Sequence, residues 1–526
     1  MVGLEALNRT SRVAANVPKD VSLDGSSLTI EDLVAVARQG RPVSIAAKAW
    51  KAVEASRKVV DGLVARGEVA YGITTGFGEF AHVTIEPAQV RQLQRNLLMS
   101  HAVGVGDPLP REVVRAMMAI RANTLLRGHS GVRRLLIERL ADLLNRDLVP
   151  VVPSRGSVGS SGDLAPLAHM ALPLIGLGSL DGGGKAVPAA KALKAAGLEP
   201  LVLEAKEGLA LINGTQMMSA IGALSVHDAT GLLHDAQVVA GMSVESLMGS
   251  VSPFDARIHA LRPHAGQGVV AGNLRALTAR SGIVHSHEGC DRVQDAYSLR
   301  CIPQVLGPVH DVVAAARAAL EIELNAVTDN PLVFPDGTIL SQGNFHGEVL
   351  AFHLDFLAIA LSELASLAER RTERLVNPDL SEGLKPFLVD SGGLNSGFMI
   401  AQYAAAALVS ENKVLSHPAS VDSIPTSANQ EDHNSMGSIS ALKLQQVLRN
   451  ARSVVAIEAL CAAQAIDFKA PLKPGTGSTA GHKAIRAVIP KLDRDRILSD
   501  DIAAMERLLA NGALREAVAK AGVKLA

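Results

Sequence analysis

The sequence predicts an all-α protein in which a loop-rich N-terminal region packs on a long helical bundle. Three observations predict it. Apolar-rich patterns at helical period run over roughly 216–250, 305–326, 346–376, 396–416 and 437–468. Alternation of the kind that marks strands is scarce. The composition of the 526 residues, 48% hydrophobic and 20% charged, is that of a globular chain rather than a disordered one.

The bundle pattern is clearest in VLAFHLDFLAIALSELASLAERRTERLV, within 346–376. Apolar residues cover most of the helix circumference in its first half, and the charges collect toward its end. Such helices are buried inside a bundle or an oligomer interface, and abundant Ala and Leu favour the helical backbone. Before residue 216 the chain alternates short helical patterns with Gly- and Pro-rich loops. YGITTGFGEF (71–80) carries glycines at 72, 76 and 78, and VPSRGSVGSSGDLAPLAHM (152–170) carries them at 156, 159 and 162. Gly182 to Gly184 read as a turn or a flexible connection. Two domains are expected: 1–215, holding both glycine-rich stretches, and 216–526, the long-helix bundle. No period of 20–50 residues marks a repeat protein.

Charge and cysteine usage narrow the function. Lys and Arg number 51 against 52 Asp and Glu, a net charge of −1, so neither nucleic acid nor an anionic membrane is an expected partner. The three cysteines, Cys290, Cys301 and Cys461, form no C-x-x-C pair, which fits a reducing cytoplasm. The first twenty residues contain no apolar core of a signal peptide. Charged or His residues interrupt each apolar stretch before about 18 residues, so no membrane span is expected.

The most informative segment is Gly156-Ser-Val-Gly-Ser-Ser-Gly-Asp-Leu-Ala-Pro-Leu-Ala-His169. Its bland reading is a loop leading into a helix, with Asp163 as cap and Pro166 in the first turn. A more specific chemistry is open to Ser160-Ser161-Gly162. The Gly162 nitrogen can attack the Ser160 carbonyl carbon and close a five-membered ring, a compressed turn that a residue lacking Cβ permits most easily. Loss of one water from the ring and a second from the Ser161 hydroxyl leaves 4-methylidene-imidazol-5-one, an electron-poor alkene. Ordinary side chains offer no comparable carbon electrophile, and such chemistry usually needs a cofactor.

This segment resembles the signature of the aromatic amino acid ammonia-lyases, a family that includes histidine, phenylalanine and tyrosine enzymes and related aminomutases. Its usual triad is Ala-Ser-Gly, and this chain departs from it with Ser160. The resemblance runs from about residue 20 to 515. It implies a fumarase/aspartase-like helical architecture, a homotetramer whose active sites draw residues from three subunits, and no metal or nucleotide.

The resemblance also implies roles for particular residues. Asp163 supports ring formation beside the triad. Tyr71, in YGITTGFG, is the catalytic acid/base, and its phenol needs a lowered pKa for that work. Arg300, in QDAYSLRCIPQV, binds the substrate carboxylate through a bidentate guanidinium. Gln294 and Tyr297 belong to the same cluster, with Tyr297 assisting the ring or the leaving ammonia. Asn213 in LINGTQ hydrogen-bonds substrate and the ring carbonyl region, and Phe345 in GNFHGE shapes the pocket.

Two positions speak to the substrate. Ser100-His101 and Asn429-Gln430-Glu431 match the histidine-specific members, where phenylalanine and tyrosine enzymes carry other residues. An imidazole presents one donor and one acceptor nitrogen. His101 and Glu431 can satisfy both, and a site built so rejects a phenyl ring. L-Histidine is therefore the expected substrate, with trans-urocanate and ammonia as products. The alternatives are a tyrosine or phenylalanine lyase, a 2,3-aminomutase, and a helical scaffold without catalysis. His285, His287, Glu288 and Cys290 lack the spacing of a standard zinc motif, and no G-x-S-x-G elbow occurs.

Overall fold

The computed structural model describes residues 20–76 and 78–526; the start of the chain, read above for a leader, lies outside them. The chain divides into two compact units. The first comprises residues up to Arg155 together with Ala165–Ile212 and Leu324–Gln342; the second comprises Gly156–Leu164, Asn213–Glu323 and Gly343–Ala526.

The first unit is made of modest helices and short strands. Its longer helices are α1 (Ile30–Arg38), α2 (Trp50–Arg66), α3 (Val90–His101), α4 (Arg111–Leu126) and α5 (Arg134–Asn145). Thr29 caps α1: its hydroxyl accepts the Asp32 N–H at 3.1 Å, satisfying one orphan donor of the first turn. Helix α4 is buried nearly throughout, Met117, Met118 and Arg121 without exposure. Its Arg115 donates to the Val36 carbonyl at 2.8 Å and so ties α4 to α1. The buried Lys206 ammonium meets Asp329 at 2.8 Å; removing one partner would strand the other in a dry interior.

All strands among the described residues lie in this unit, as four two-stranded ladders. Val21–Leu23 pairs in parallel with Val43–Ile45. Ser179–Asp181 pairs antiparallel with Ala186–Pro188, so the expected turn at Gly182–Gly184 closes a hairpin. It is fastened by the Gly182 N–H on the Lys185 carbonyl at 2.8 Å.

The second unit holds the long helices, and its bounds differ from the expected 216–526 in taking in Gly156–Leu164 and leaving out Leu324–Gln342. Its long helices are α6 (Gln216–Ser246), α7 (Ile302–Glu323), α8 (Glu348–Val376), α9 (Met399–Leu415) and α10 (Gly437–Phe468), each within a few residues of its sequence expectation. Helix α8 packs on α7, α9 and α10, and α6 packs on α7 and α10. Buried leucines line these contacts, among them Leu350, Leu354, Leu357 and Leu361 of α8, each contributing about 1.5–3 kcal/mol.

Among the described helices α8 is long and apolar enough, by length and composition, to cross a membrane. Two of its buried charged groups are paired inside the bundle instead. Buried Asp355 meets Lys443 at 3.0 Å, and the fully buried Arg371 meets Glu458 at 2.6 Å, both partners on α10. A core helix of a helical bundle accounts for its composition.

Candidate active site

The segment 156–164 joins the second unit and is held there by the start of α10. The Met436 N–H donates to the Val158 carbonyl at 2.8 Å. The hydroxyls of Ser435 and Ser438 donate to the carbonyls of Gly159 and Ser157 at 2.8 and 2.6 Å. From the loop before α8, the Gly347 N–H donates to the same Gly159 carbonyl at 3.1 Å. A Gly- and Ser-rich stretch with little preference of its own is thus fixed by the ends of two long helices.

Gly162 is the tightest point. Its φ is +74°, and a Cβ built there would stand 2.1 Å from the Gly214 carbonyl oxygen. Only glycine fits, because both the left-handed backbone and the close approach exclude a side chain. Asp163 follows, fully buried, and its N–H donates to the Gly214 carbonyl at 2.7 Å. The Asp163 carboxylate accepts the N–H groups of Met217 and Met218 at 2.9 and 3.0 Å. Asp163 therefore serves the N-terminus of the 31-residue α6, where a negative charge meets free donors and the positive end of the helix dipole. The Ser157 hydroxyl adds a contact at 3.3 Å.

Asn213, buried, donates through Nδ2 to the Ser161 carbonyl at 2.7 Å. Its loop is held by Thr215, whose hydroxyl donates to Glu323 at 2.5 Å; burial pushes the Glu323 carboxyl above the ordinary 4.5. Glu431 completes the group. Ser160 donates to its Oε2 at 2.9 Å, Ser161 to its Oε1 at 2.9 Å, and Thr426 to Oε2 at 2.8 Å. The loop that delivers Glu431 is strained: Ser427, Ala428 and Asn429 have φ of +53°, +52° and +70°. That costs on the order of 1 kcal/mol per residue. Backbone pairing of Thr426 with Glu431 holds the loop closed.

The structure therefore brings together Ser160, Ser161, Gly162, Asp163, Asn213 and Glu431. Such a cradle suits closure of the Gly162 nitrogen on the Ser160 carbonyl carbon. The backbone is turned without steric cost, the Ser161 carbonyl is held by an amide donor, and a carboxylate reaches the hydroxyl that must leave.

Gln294, Tyr297 and Arg300 belong to the same unit but face a different space. Gln294 and Arg300 line a cavity of about 660 Å³ together with Arg292, Asp295 and Gln304, and neither the triad nor Glu431 is in its wall. Tyr297 is 69% exposed. The Arg300 guanidinium stacks 4.6 Å from its ring, and the buried Arg300 Nε has no hydrogen-bond partner. An unpartnered buried N–H is costly until an acceptor arrives. Phe345 is half-buried in the loop before α8, and Gln430 is exposed beside Glu431. Tyr71 and His101 lie in the first unit. Tyr71 is half-buried and its hydroxyl oxygen accepts the Gly78 N–H at 3.4 Å. His101 ends α3, its Nδ1 2.9 Å from the Leu97 carbonyl.

Sequence reasoning missed Thr426, Ser435 and Ser438. A threonine five residues before Glu431 carried no spacing rule, and only the folded loop makes it a donor. It also missed His346, Glu348 and His433, whose donor atoms lie within 4.8 Å of one another. His346 Nε2 is already engaged by the His433 carbonyl at 3.2 Å. His285 and Glu288 are exposed and hydrogen-bonded to each other, Nδ1 to Oε1 at 2.7 Å.

Comparisons with known proteins agree over nearly the whole chain. The family model described as aromatic amino acid lyase matches residues 28–487. A histidine ammonia-lyase of Gloeobacter violaceus is 56% identical over 497 residues, covering 94% of this chain and 97% of that protein. One of Koribacter versatilis is 55% identical over 512 residues, covering 95% and 99%. Among solved structures, histidine ammonia-lyase from Trypanosoma cruzi superposes with a TM-score of 0.89 at 45% identity, covering 95% of each chain. A tyrosine aminomutase from Streptomyces globisporus gives 0.92 at 41% identity, covering 96% of this chain and all of that one.

Proposed function

The chain belongs to the aromatic amino acid lyase family and its reaction is the elimination of ammonia from L-histidine; we propose that it runs on a 4-methylidene-imidazol-5-one formed from Ser160, Ser161 and Gly162. One observation carries the proposal: Gly162 is pressed onto Gly214 while Asn213 and Glu431 grip the Ser161 carbonyl and hydroxyl. The ring supplies an electron-poor alkene carbon of a kind no ordinary side chain offers.

The remaining work falls to side chains. The Arg300 guanidinium, with its free Nε, holds the substrate carboxylate. His101 and Glu431 take the two imidazole nitrogens, one as donor and one as acceptor. Gln294 and Gln430 add polar contacts and Phe345 an apolar wall. Tyr71 Oη accepts the β-proton, and the glycines around it let its loop close over substrate and exclude water. Tyr297 assists departure of ammonia, and Asp163 holds the triad through the start of α6.

The product is trans-urocanate, the first step in the breakdown of histidine. The active enzyme is a homotetramer whose sites are completed by neighbouring subunits. In support, Tyr297 and Gln430 stand exposed in the single chain and the Arg300 cavity is walled without the triad. The three unpaired cysteines agree with a cytoplasmic setting.

The test pairs two measurements on the purified protein. Intact mass is expected two waters below the encoded value. Incubation with L-histidine, L-tyrosine and L-phenylalanine is expected to yield a conjugated acrylate from histidine alone. A full encoded mass in active protein overturns the ring. A β-amino acid product, the outcome suggested by the likeness to the aminomutase, overturns the lyase reading.

A further inference from the structure

We propose that the Ser160 hydroxyl is a positioning group for Glu431, so that the ring-forming segment itself aims the carboxylate that meets the substrate. The inference rests on the reading of Glu431 as a substrate-contacting group.

The argument starts from what ring closure consumes. It uses the Gly162 nitrogen and the Ser160 carbonyl carbon, and the Ser161 hydroxyl departs as water. The Ser160 Oγ takes no part. Of the two hydroxyls that reach Glu431 from this segment, one on each carboxylate oxygen, only that of Ser160 survives maturation. Ser161 vacates Oε1. Oε2 keeps two donors, Ser160 at 2.9 Å and Thr426 at 2.8 Å.

The consequence is an asymmetric carboxylate. Oε2 is clamped from the triad on one side and from its own loop on the other. Oε1 is left open, directed at the place from which the Ser161 hydroxyl has gone. That is where substrate meets the ring, so the free oxygen is aimed at the imidazole nitrogen assigned to Glu431. The clamp matters because Glu431 stands on a loop with three successive left-handed residues and is only half-buried. Hydroxyl donors to a carboxylate are among the stronger hydrogen bonds available to fix it. Ser160 is 6% exposed, so its donor has little competition from solvent. It is also the position where this chain departs from Ala-Ser-Gly, which makes the clamp a feature of this sequence.

The experiment compares Ser160→Ala, Thr426→Val and the double variant, each with native Glu431 and with Glu431→Ala. Intact mass comes first and is independent of turnover. Two waters are expected to be lost from each variant that keeps Glu431, since ring closure does not use Ser160 Oγ, and the Glu431→Ala variants are compared with one another at the ring content their masses show. Failure of the ring reading therefore appears in the native protein's mass and is not confused with failure of the clamp.

With the ring present, Ser160→Ala is expected to lower kcat/KM for L-histidine about tenfold, a loss typical of one hydrogen bond to a charged group. The double variant is expected to lose more than the product of the single losses, because each donor covers for the other. In the Glu431→Ala background Ser160→Ala should change nothing further. Ser160→Cys, close in volume and a weak donor, repeats the measurement should the alanine variant not fold. Full activity in Ser160→Ala with a complete ring overturns the proposal. So does an equal loss with and without Glu431, which would mark a role in packing alone.

Discussion

Two polar regions of the second unit are finished to different degrees. Around Ser160–Asp163 the groups satisfy one another: Asp163 on the first turn of α6, Asn213 on the Ser161 carbonyl, Glu431 on two serine hydroxyls. Around Gln294–Arg300 they look into a cavity, with an exposed tyrosine and a buried guanidinium N–H lacking an acceptor. On the function proposed above, the difference follows from the tasks. An electrophile made from backbone forms once, inside one chain, so its surroundings must be complete before any substrate arrives. A subsite that captures a carboxylate has to stay open until one binds.

The sharpest way to break this comparison is Ser161→Ala, which removes the hydroxyl whose loss as water creates the alkene. Turnover of L-histidine is expected to fall on the order of 10³-fold or more. The two-water mass loss should vanish while the far-ultraviolet circular dichroism stays helical. Near-native activity in this variant would mean that the crowded region is structural only.

Two glycines set the regions side by side. Gly162→Ala forces a Cβ against the Gly214 carbonyl at a φ of +74° and should cost roughly 2–5 kcal/mol in urea unfolding. Gly289, on the cavity wall, has a φ of +83° but no atom within 4 Å of a built Cβ, so Gly289→Ala should cost only about 1–2 kcal/mol. Equal losses would erase the contrast between the filled and the open region.

Arg300→Lys keeps the charge and removes the planar fork. KM for L-histidine should rise about 30-fold, near 2 kcal/mol, with a smaller change in kcat. A lysine variant with native KM would show that the cavity does not hold the carboxylate.

The smallest effect probes the layer behind Asn213. Burial raises the folded-state pKa of Glu323 above 4.5, so its neutral form favours folding. That contribution is complete below pH 4.5 and is lost as pH rises through the raised value. Glu323→Gln imitates the neutral form. Its unfolding free energy should lie within about 1 kcal/mol of native at pH 4.5 and gain on native as pH rises to 8. A constant difference across that range would show that Glu323 titrates as an exposed carboxyl.

Much of this was legible in the chain itself. Period and composition located α6 to α10 because a long apolar-rich run at helical period marks a bundle helix, and that pattern needs no partner to be read. Ser160-Ser161-Gly162 could be singled out because the ring chemistry is local in sequence. Legibility ended where side chains distant in sequence meet. Nothing in SIPTSANQEDHNSM announces that Thr426 and Ser160 would share one oxygen of Glu431, or that Ser435 and Ser438 would hold the triad loop.

By itself, then, the sequence determined an all-α chain, five long apolar-rich helices and a Ser-Ser-Gly triad of the kind the proposed electrophile needs, since each depends on covalent neighbours or on a repeating apolar pattern. Tertiary structure decided that 156–164 joins the bundle, that Asp163 serves the start of α6, and that Arg300 faces open space. Those outcomes depend on hydrogen bonds between groups tens to hundreds of residues apart, and their geometry exists only after the helices have packed.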